Sequence, residues 1–93
     1  MLSQIPVDLK NVKKEEIDKE ILRLGIIAEL DAVSLYEQLA AETQNENIRK
    51  IILDIAKEEK THVGEFQAML LKLDKEQVDE LEKGKIEVDE LTK

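Results

Sequence analysis

An all-helical chain, folded as an antiparallel hairpin with a short third helix, is the fold class this sequence predicts. Three observations predict it. Apolar residues recur at three and four along two long stretches, aromatic residues make up only 2% of the chain beside one proline and three glycines, and polar residues separate the stretches. Leu, Ile, Ala, Glu and Lys dominate, which is the composition of helices rather than strands. The 93 residues form one domain, 1–93, and a chain this short buries a limited share of its surface alone. Self-association is therefore expected.

After an irregular lead containing Pro6, the first helix is expected over about residues 14–43. Its apolar stripe is Ile17, Ile21, Leu24, Ala28, Ala32, Leu35 and Leu39. Thr43, Gln44 and Asn45 read as a short connection, with Asn45 as N-cap ahead of Glu46, whose charge suits a helix start. A second helix follows over about 46–73, striped by Ile48, Ile51, Ile52, Ile55, Glu59, His62, Val63, Phe66, either Met69 or Leu70, and Leu73. Glu46 and Lys50 are spaced as an ion pair on its surface. Asp74 reads as the next N-cap, with Gln77 three residues on. It opens a short helix over about 75–83 that stops before Gly84, and residues 85–93 form a weakly periodic tail.

The net charge of −8 argues against nucleic acid and anionic membranes as partners and favours the gathering of cations. The absence of cysteine excludes disulfides, thiolate zinc sites and cysteine nucleophiles. No apolar run has the length of a signal peptide or membrane span, so a cytosolic setting is expected.

The only histidine, His62, stands three residues after Glu59 on the apolar stripe. In so glutamate-rich a chain that spacing alone carries little. The hairpin adds to it: with the turn centred on Gln44, Glu59 lies fifteen residues after the turn and Glu29 fifteen before it. Both sit about 22 Å from the turn at the helical rise of 1.5 Å per residue. Glu29 lies among Gly25, Ile26, Ala32 and Val33, where an unpaired carboxylate is unfavourable and a cation would offset the penalty. Glu29, Glu59 and His62 are thus candidate metal ligands. One chain with one histidine offers half of the four-helix di-metal arrangement of Glu-x-x-His pairs and single glutamates, so two copies are expected around shared metal.

Tyr36, two turns beyond Glu29, is spaced either to hydrogen-bond a ligand carboxylate or to fill the core with its hydroxyl satisfied elsewhere. Glu65 reads as solvated more than as a partner of His62, and Glu58 as outward-facing. Asp31, Glu37 and Glu42 are candidates for a cation-attracting surface, though charged exposed faces are ordinary. Gly25 and Gly64, each about 1 kcal/mol less favourable than Ala inside a helix, point to close helix packing.

The segments Ile21-Leu22-Arg23-Leu24-Gly25-Ile26-Ile27-Ala28-Glu29-Leu30-Asp31-Ala32, Leu35-Tyr36-Glu37-Gln38 and Lys57-Glu58-Glu59-Lys60-Thr61-His62-Val63-Gly64-Glu65-Phe66 strongly resemble the encapsulated ferritins, over roughly residues 15–90. The resemblance implies a hairpin subunit that dimerises into a ferritin-like four-helix bundle. Between the two copies lies a di-iron ferroxidase centre, with Glu29, Glu59 and His62 as ligands and Tyr36 beside them. It further implies two iron ions per dimer interface, Mn or Zn as possible substitutes, an annular decamer, and an encapsulin shell protein as partner that takes over storage. Two positions depart from the family: Leu35 where an aromatic residue precedes the tyrosine, and Ala28 where a further acidic residue adjoins the first ligand. The alternatives are a structural helical interaction module and a rubrerythrin-like peroxidase, the latter usually dependent on a cysteine-bound iron that this sequence cannot hold.

Overall fold

The structure is a computed structural model describing Gln4 and residues 7–93; Pro6 lies outside the described residues. Two 3-10 turns, Leu9–Asn11 and Lys14–Glu16, lead into helix α1 (Ile17–Glu42), α2 (Glu46–Leu73) and α3 (Lys75–Leu91). Asp18 and Glu20 put negative charge in the first turn of α1, where the helix dipole favours it.

The hairpin turn is built from local polar chemistry. Asn45 accepts from the backbone N–H groups of Asn47 at 2.9 Å and Ile48 at 3.1 Å, satisfying two donors at the start of α2. Thr43 Oγ1 accepts from the Asn45 N–H at 3.2 Å. Arg49 reaches back to close the other helix end, donating from Nε to the Ala40 carbonyl at 3.0 Å and from its guanidinium to the Thr43 carbonyl. The guanidinium also pairs with Glu46, so Glu46 is taken by Arg49 rather than by the expected Lys50. Four groups at the facing ends of α1 and α2 that would otherwise be unsatisfied, two N–H and two C=O, are thereby occupied.

A single residue joins α2 to α3. Asp74 closes α2 through its N–H to the Leu70 carbonyl at 2.9 Å and opens α3 by accepting from the Gln77 N–H at 3.0 Å. Arg23 of α1 donates to its other carboxylate oxygen at 3.0 Å. The Gln77 hydrogen bond, followed by the Arg23 interaction, holds the Asp74 carboxyl below the usual carboxylate range although partial burial opposes this.

The third helix corrects the sequence reading. It does not stop at Gly84 and leave a tail over 85–93, but continues to Leu91, where Thr92 closes it by donating from N–H and Oγ1 to the Val88 carbonyl. A glycine ends a helix by taking a left-handed conformation, and no described glycine has positive φ. The penalty for helical Gly84 is about 1 kcal/mol. Strong helix formers on both sides carry the helix through it, with Lys83 paired to Glu80 at 3.2 Å.

The described chain measures 47 × 44 × 20 Å with a radius of gyration of 16.5 Å, against about 12 Å for a globule of this length. A 28-residue α2 spans about 42 Å, which accounts for one long dimension. The other comes from α3, which departs sideways from the hairpin and buries no residue. Among the described residues the only buried apolar side chains are Ala40, Ala56 and Leu70.

That short core revises the predicted stripes. On a wheel of about 100° per residue, the side of α1 facing α2 carries Leu22, Gly25, Ile26, Glu29, Val33, Tyr36 and Ala40. Of the predicted stripe, Ile21 and Leu39 instead stand exposed, as do Ile27 and Leu30 elsewhere on α1. Helix α1 is apolar on several sides, so period alone does not select the inner one. On α2 the alternative between Met69 and Leu70 falls to Leu70, 4% exposed against 49% for Met69.

Candidate metal centre

The helix crossing brings the three sequence-predicted residues together. Glu29 of α1 and Glu59 and His62 of α2 each offer a ligand atom within 4.8 Å of the others, and among the described residues this is the sole group of its kind. His62 Nδ1 lies 3.4 Å from Glu59 Oε2 and 3.5 Å from Glu29 Oε2. Ligands about 2.1 Å from a common tetrahedral ion stand about 3.4 Å apart, and the two distances from His62 match that spacing. Glu29 Oε2 is buried and has no hydrogen-bond partner, since the His62 contact is too long and poorly directed to be one. A buried carboxylate oxygen left in this state is unfavourable by about 1–3 kcal/mol, and a bound cation removes the deficit.

The centre is open on one side. The carboxylates are mostly shielded, with 20% of each side chain exposed, whereas His62 is 45% exposed. Because α2 runs antiparallel to α1, His62, Ile51 and Met69 on α2 lie on the same side of the hairpin as Ile21, Ala28, Leu35 and Leu39 on α1. Ile21, Leu39, Ile51 and Met69 are all exposed. The opposite side carries Arg23 and Ile26 of α1 with Gln67 and Leu71 of α2. There α3 attaches, around a cleft of about 200 Å³ lined by Ile26, Gln67, Leu70, Leu71, Gln77 and Leu81. The metal group and α3 therefore occupy opposite sides of the hairpin.

The remaining candidates separate. Tyr36 is half-buried and makes no hydrogen bond among the described residues. Glu58 and Glu65 are exposed. Asp31 is buried, at 9% exposure, and is turned roughly 200° from Glu29. It therefore does not belong to an exposed acidic surface, while Glu37 is exposed and paired with Lys60 at 3.1 Å. Gly25 is tightly packed, but a Cβ built on Gly64 would meet nothing within 4 Å, so close packing accounts for only one of the two glycines. The sequence reading did not identify what fills the space over Gly25, which is Phe66.

Two long antiparallel helices with a Glu on one, a Glu-x-x-His on the other and a half-open side define the ferritin-like class of carboxylate-histidine metal proteins. The rubrerythrin family model matches residues 20–92, and the chain belongs to that family. It is 64% identical over 83 residues to a ferritin-like-encapsulin shell fusion protein of Pyrococcus furiosus, covering 89% of this chain and 24% of that protein. It is 36% identical over 69 residues to the encapsulin nanocompartment cargo protein EncC of Myxococcus xanthus, covering 71% of this chain and 53% of that one. The chain thus spans about a quarter and about half of these two relatives. Among solved structures, the encapsulated ferritin domain from Pyrococcus furiosus matches with a TM-score of 0.85 at 56% identity, covering 99% of this chain and 96% of that one. Among the described residues no helix is long and apolar enough to cross a membrane.

Proposed function

We propose that this chain is a ferroxidase, oxidising Fe(II) to Fe(III) with O2 at a two-iron centre shared between two copies. The observation that carries the reading is the convergence of Glu29, Glu59 and His62 around a buried carboxylate oxygen that has no hydrogen-bond partner. Oxygen ligands with one imidazole suit iron, and also Mn or Zn. Bound iron supplies the electrons that reduce O2. In this reading Glu29, Glu59 and His62 of both copies would hold the iron, with Glu29 as the bridging carboxylate and Glu59 and His62 as terminal ligands, and Tyr36 would supply a hydrogen bond to a ligand carboxylate in the assembled, metal-bound pair.

One chain contributes three ligands and an isologous pair contributes six. The apolar side chains beside the open side of the centre, Ile21, Leu39, Ile51 and Met69, give a second copy something to bury. A four-helix bundle results, and its dimers would assemble further into an annular decamer. Likeness to an encapsulin cargo protein and a shell fusion supports a place inside an encapsulin nanocompartment in the cytoplasm, where the shell confines the oxidised iron that an open ring cannot hold. A purely structural module gives no reason to bury an unsatisfied Glu29. A rubrerythrin-type peroxidase gains no support from 93 residues without cysteine.

The test pairs aerobic Fe(II) oxidation with sedimentation velocity, with and without iron. Rapid oxidation by an iron-stabilised dimer, lost together in Glu29→Ala, Glu59→Ala and His62→Ala, is the expected result. Unchanged rates in all three variants, or tight iron binding by a monomer, would overturn the reading.

A further inference from the structure

One turn from the ligands, on the side away from the hairpin turn, the two helices touch through an unusual pair. Gly25 stands four residues before Glu29, and Phe66 stands four residues after His62. A Cβ built on Gly25 would lie 2.9 Å from Phe66 Cδ1 and Cε1 and 3.0 Å from Cζ. Real Cβ contacts are not this short, so the ring occupies the space that a side chain on α1 would take. Helical side chains lean toward the N-terminus of their helix, which carries the Phe66 ring back toward the level of His62. Both residues lie on the inward side of their helices, in line with the ligands.

We infer that Gly25 and Phe66 form a spacer that sets the separation of α1 and α2 at the metal centre, making them positioning residues for Glu29 against Glu59 and His62. Nothing in helix propensity calls for a glycine in the middle of α1; the residue is unfavourable there. What it permits is a flat ring lying directly on backbone, bringing the helices closer than two side chains would allow. A methyl at residue 25 either displaces the ring or separates the helices. Separation of the helices opens the distance between Glu29 and the pair on α2, one turn along both helices, and displacement of the ring removes the contact that fixes that distance. Gly64 provides the contrast: it lies only two residues from His62 in sequence, but a Cβ there meets nothing within 4 Å.

The inference rests on the metal-centre reading, and the test separates the two. Anaerobic Co(II) titration of the intact chain, followed by visible absorption, reports both affinity and ligand geometry. Gly25→Ala should keep its helical circular dichroism, lower Co(II) affinity by about 10- to 100-fold, as disturbed supporting groups do around metal ligands, and alter the absorption envelope. Gly64→Ala should change neither. Phe66→Leu removes the outer ring atoms and should also weaken binding by leaving a gap, which keeps the test decisive if Gly25→Ala fails to fold. Gly25→Ala combined with Phe66→Leu should recover most of the affinity, because the added methyl fills the space the ring gave up. No Co(II) signal in the parent chain, or a signal retained in His62→Ala, would sink the metal-centre reading and the inference with it. A signal lost in His62→Ala but unchanged in Gly25→Ala, or in Phe66→Leu, would overturn the spacer alone.

Discussion

The hairpin and α3 are both helical, yet different physics holds them. In α1 and α2 the inward residues include two mostly shielded carboxylates, a half-exposed histidine and a ring lying on a glycine, choices that packing alone does not explain and that a bound cation would. Helix α3 has the reverse character. It is capped by Asp74 and Thr92 and rich in Glu and Lys, but it buries nothing and leaves Val78, Leu81, Ile86, Val88 and Leu91 exposed, the last at 86%. At the site one oxygen of Glu29 is buried without a hydrogen bond, where a cation would relieve it. Helix α3 carries its own caps at both ends where it leaves the hairpin.

The sharpest way to break that contrast is to place a charge on each region. Met69→Glu or Ile51→Glu, on the side where the metal centre opens, should weaken self-association by about 3 kcal/mol, roughly a hundredfold, through an unpaired charge in the interface. Oxidation of Fe(II) should fall in parallel. Val88→Glu on α3 should leave Fe(II) binding at the centre unchanged. Sedimentation equilibrium and initial rates measure both, and equal loss of metal binding from either position would erase the distinction.

A smaller effect tests whether Glu29 is held in an unfavourable state. Without metal, Glu29→Gln should raise the thermal midpoint, corresponding to about 1 kcal/mol, because an amide is less costly than a carboxylate to leave poorly satisfied. With Co(II) or Fe(II) the order should reverse, since only the parent carboxylate binds. Differential scanning calorimetry with and without metal reads both signs, and a lower midpoint in the metal-free variant contradicts the claim.

In α3 the corresponding change has no such reversal. Gly84→Ala should stabilise the chain by up to about 1 kcal/mol irrespective of metal, because the added Cβ would meet nothing within 4 Å. Thermal melts check it.

The smallest effect concerns Asp74, since asparagine also caps helices well. Its carboxyl titrates below the ordinary range in the folded chain. The charged form therefore contributes stability that is fully present above the unfolded carboxylate value, and is lost as pH falls through the lowered folded one. Parent and Asp74→Asn should differ in urea midpoint at neutral pH and converge in acid below that value. A difference that persists there would assign the effect to something other than the charge.

The parts of this molecule legible in advance are those governed by near neighbours in the chain. Asn45 and Asp74 act as caps because a side-chain oxygen reaches N–H groups two or three residues away, whatever lies beyond. Glu29, Glu59 and His62 meet because residues equally distant from a tight turn must lie at equal height, so counting along the chain is enough. Gly84 was misread because glycine permits a helix end without requiring one, and the surrounding Glu and Lys residues favour continuation. Asp31 was misread as surface because burial is not encoded in residue type. The inward side of α1 was obscured because Ile21, Ile27, Leu30 and Leu39 make that helix apolar nearly all round.

By itself, then, the sequence determined an all-helical hairpin, its capped joints and the three residues that converge in it. Only the tertiary structure decided which side of α1 turns inward, that Phe66 lies on Gly25, that one oxygen of Glu29 is buried without a hydrogen bond, and that α3 projects from the side opposite the metal centre. The physical reason is range: capping and helical height depend on bonds and spacing a few residues long, whereas packing and desolvation depend on what another helix, dozens of residues away, places against each side chain.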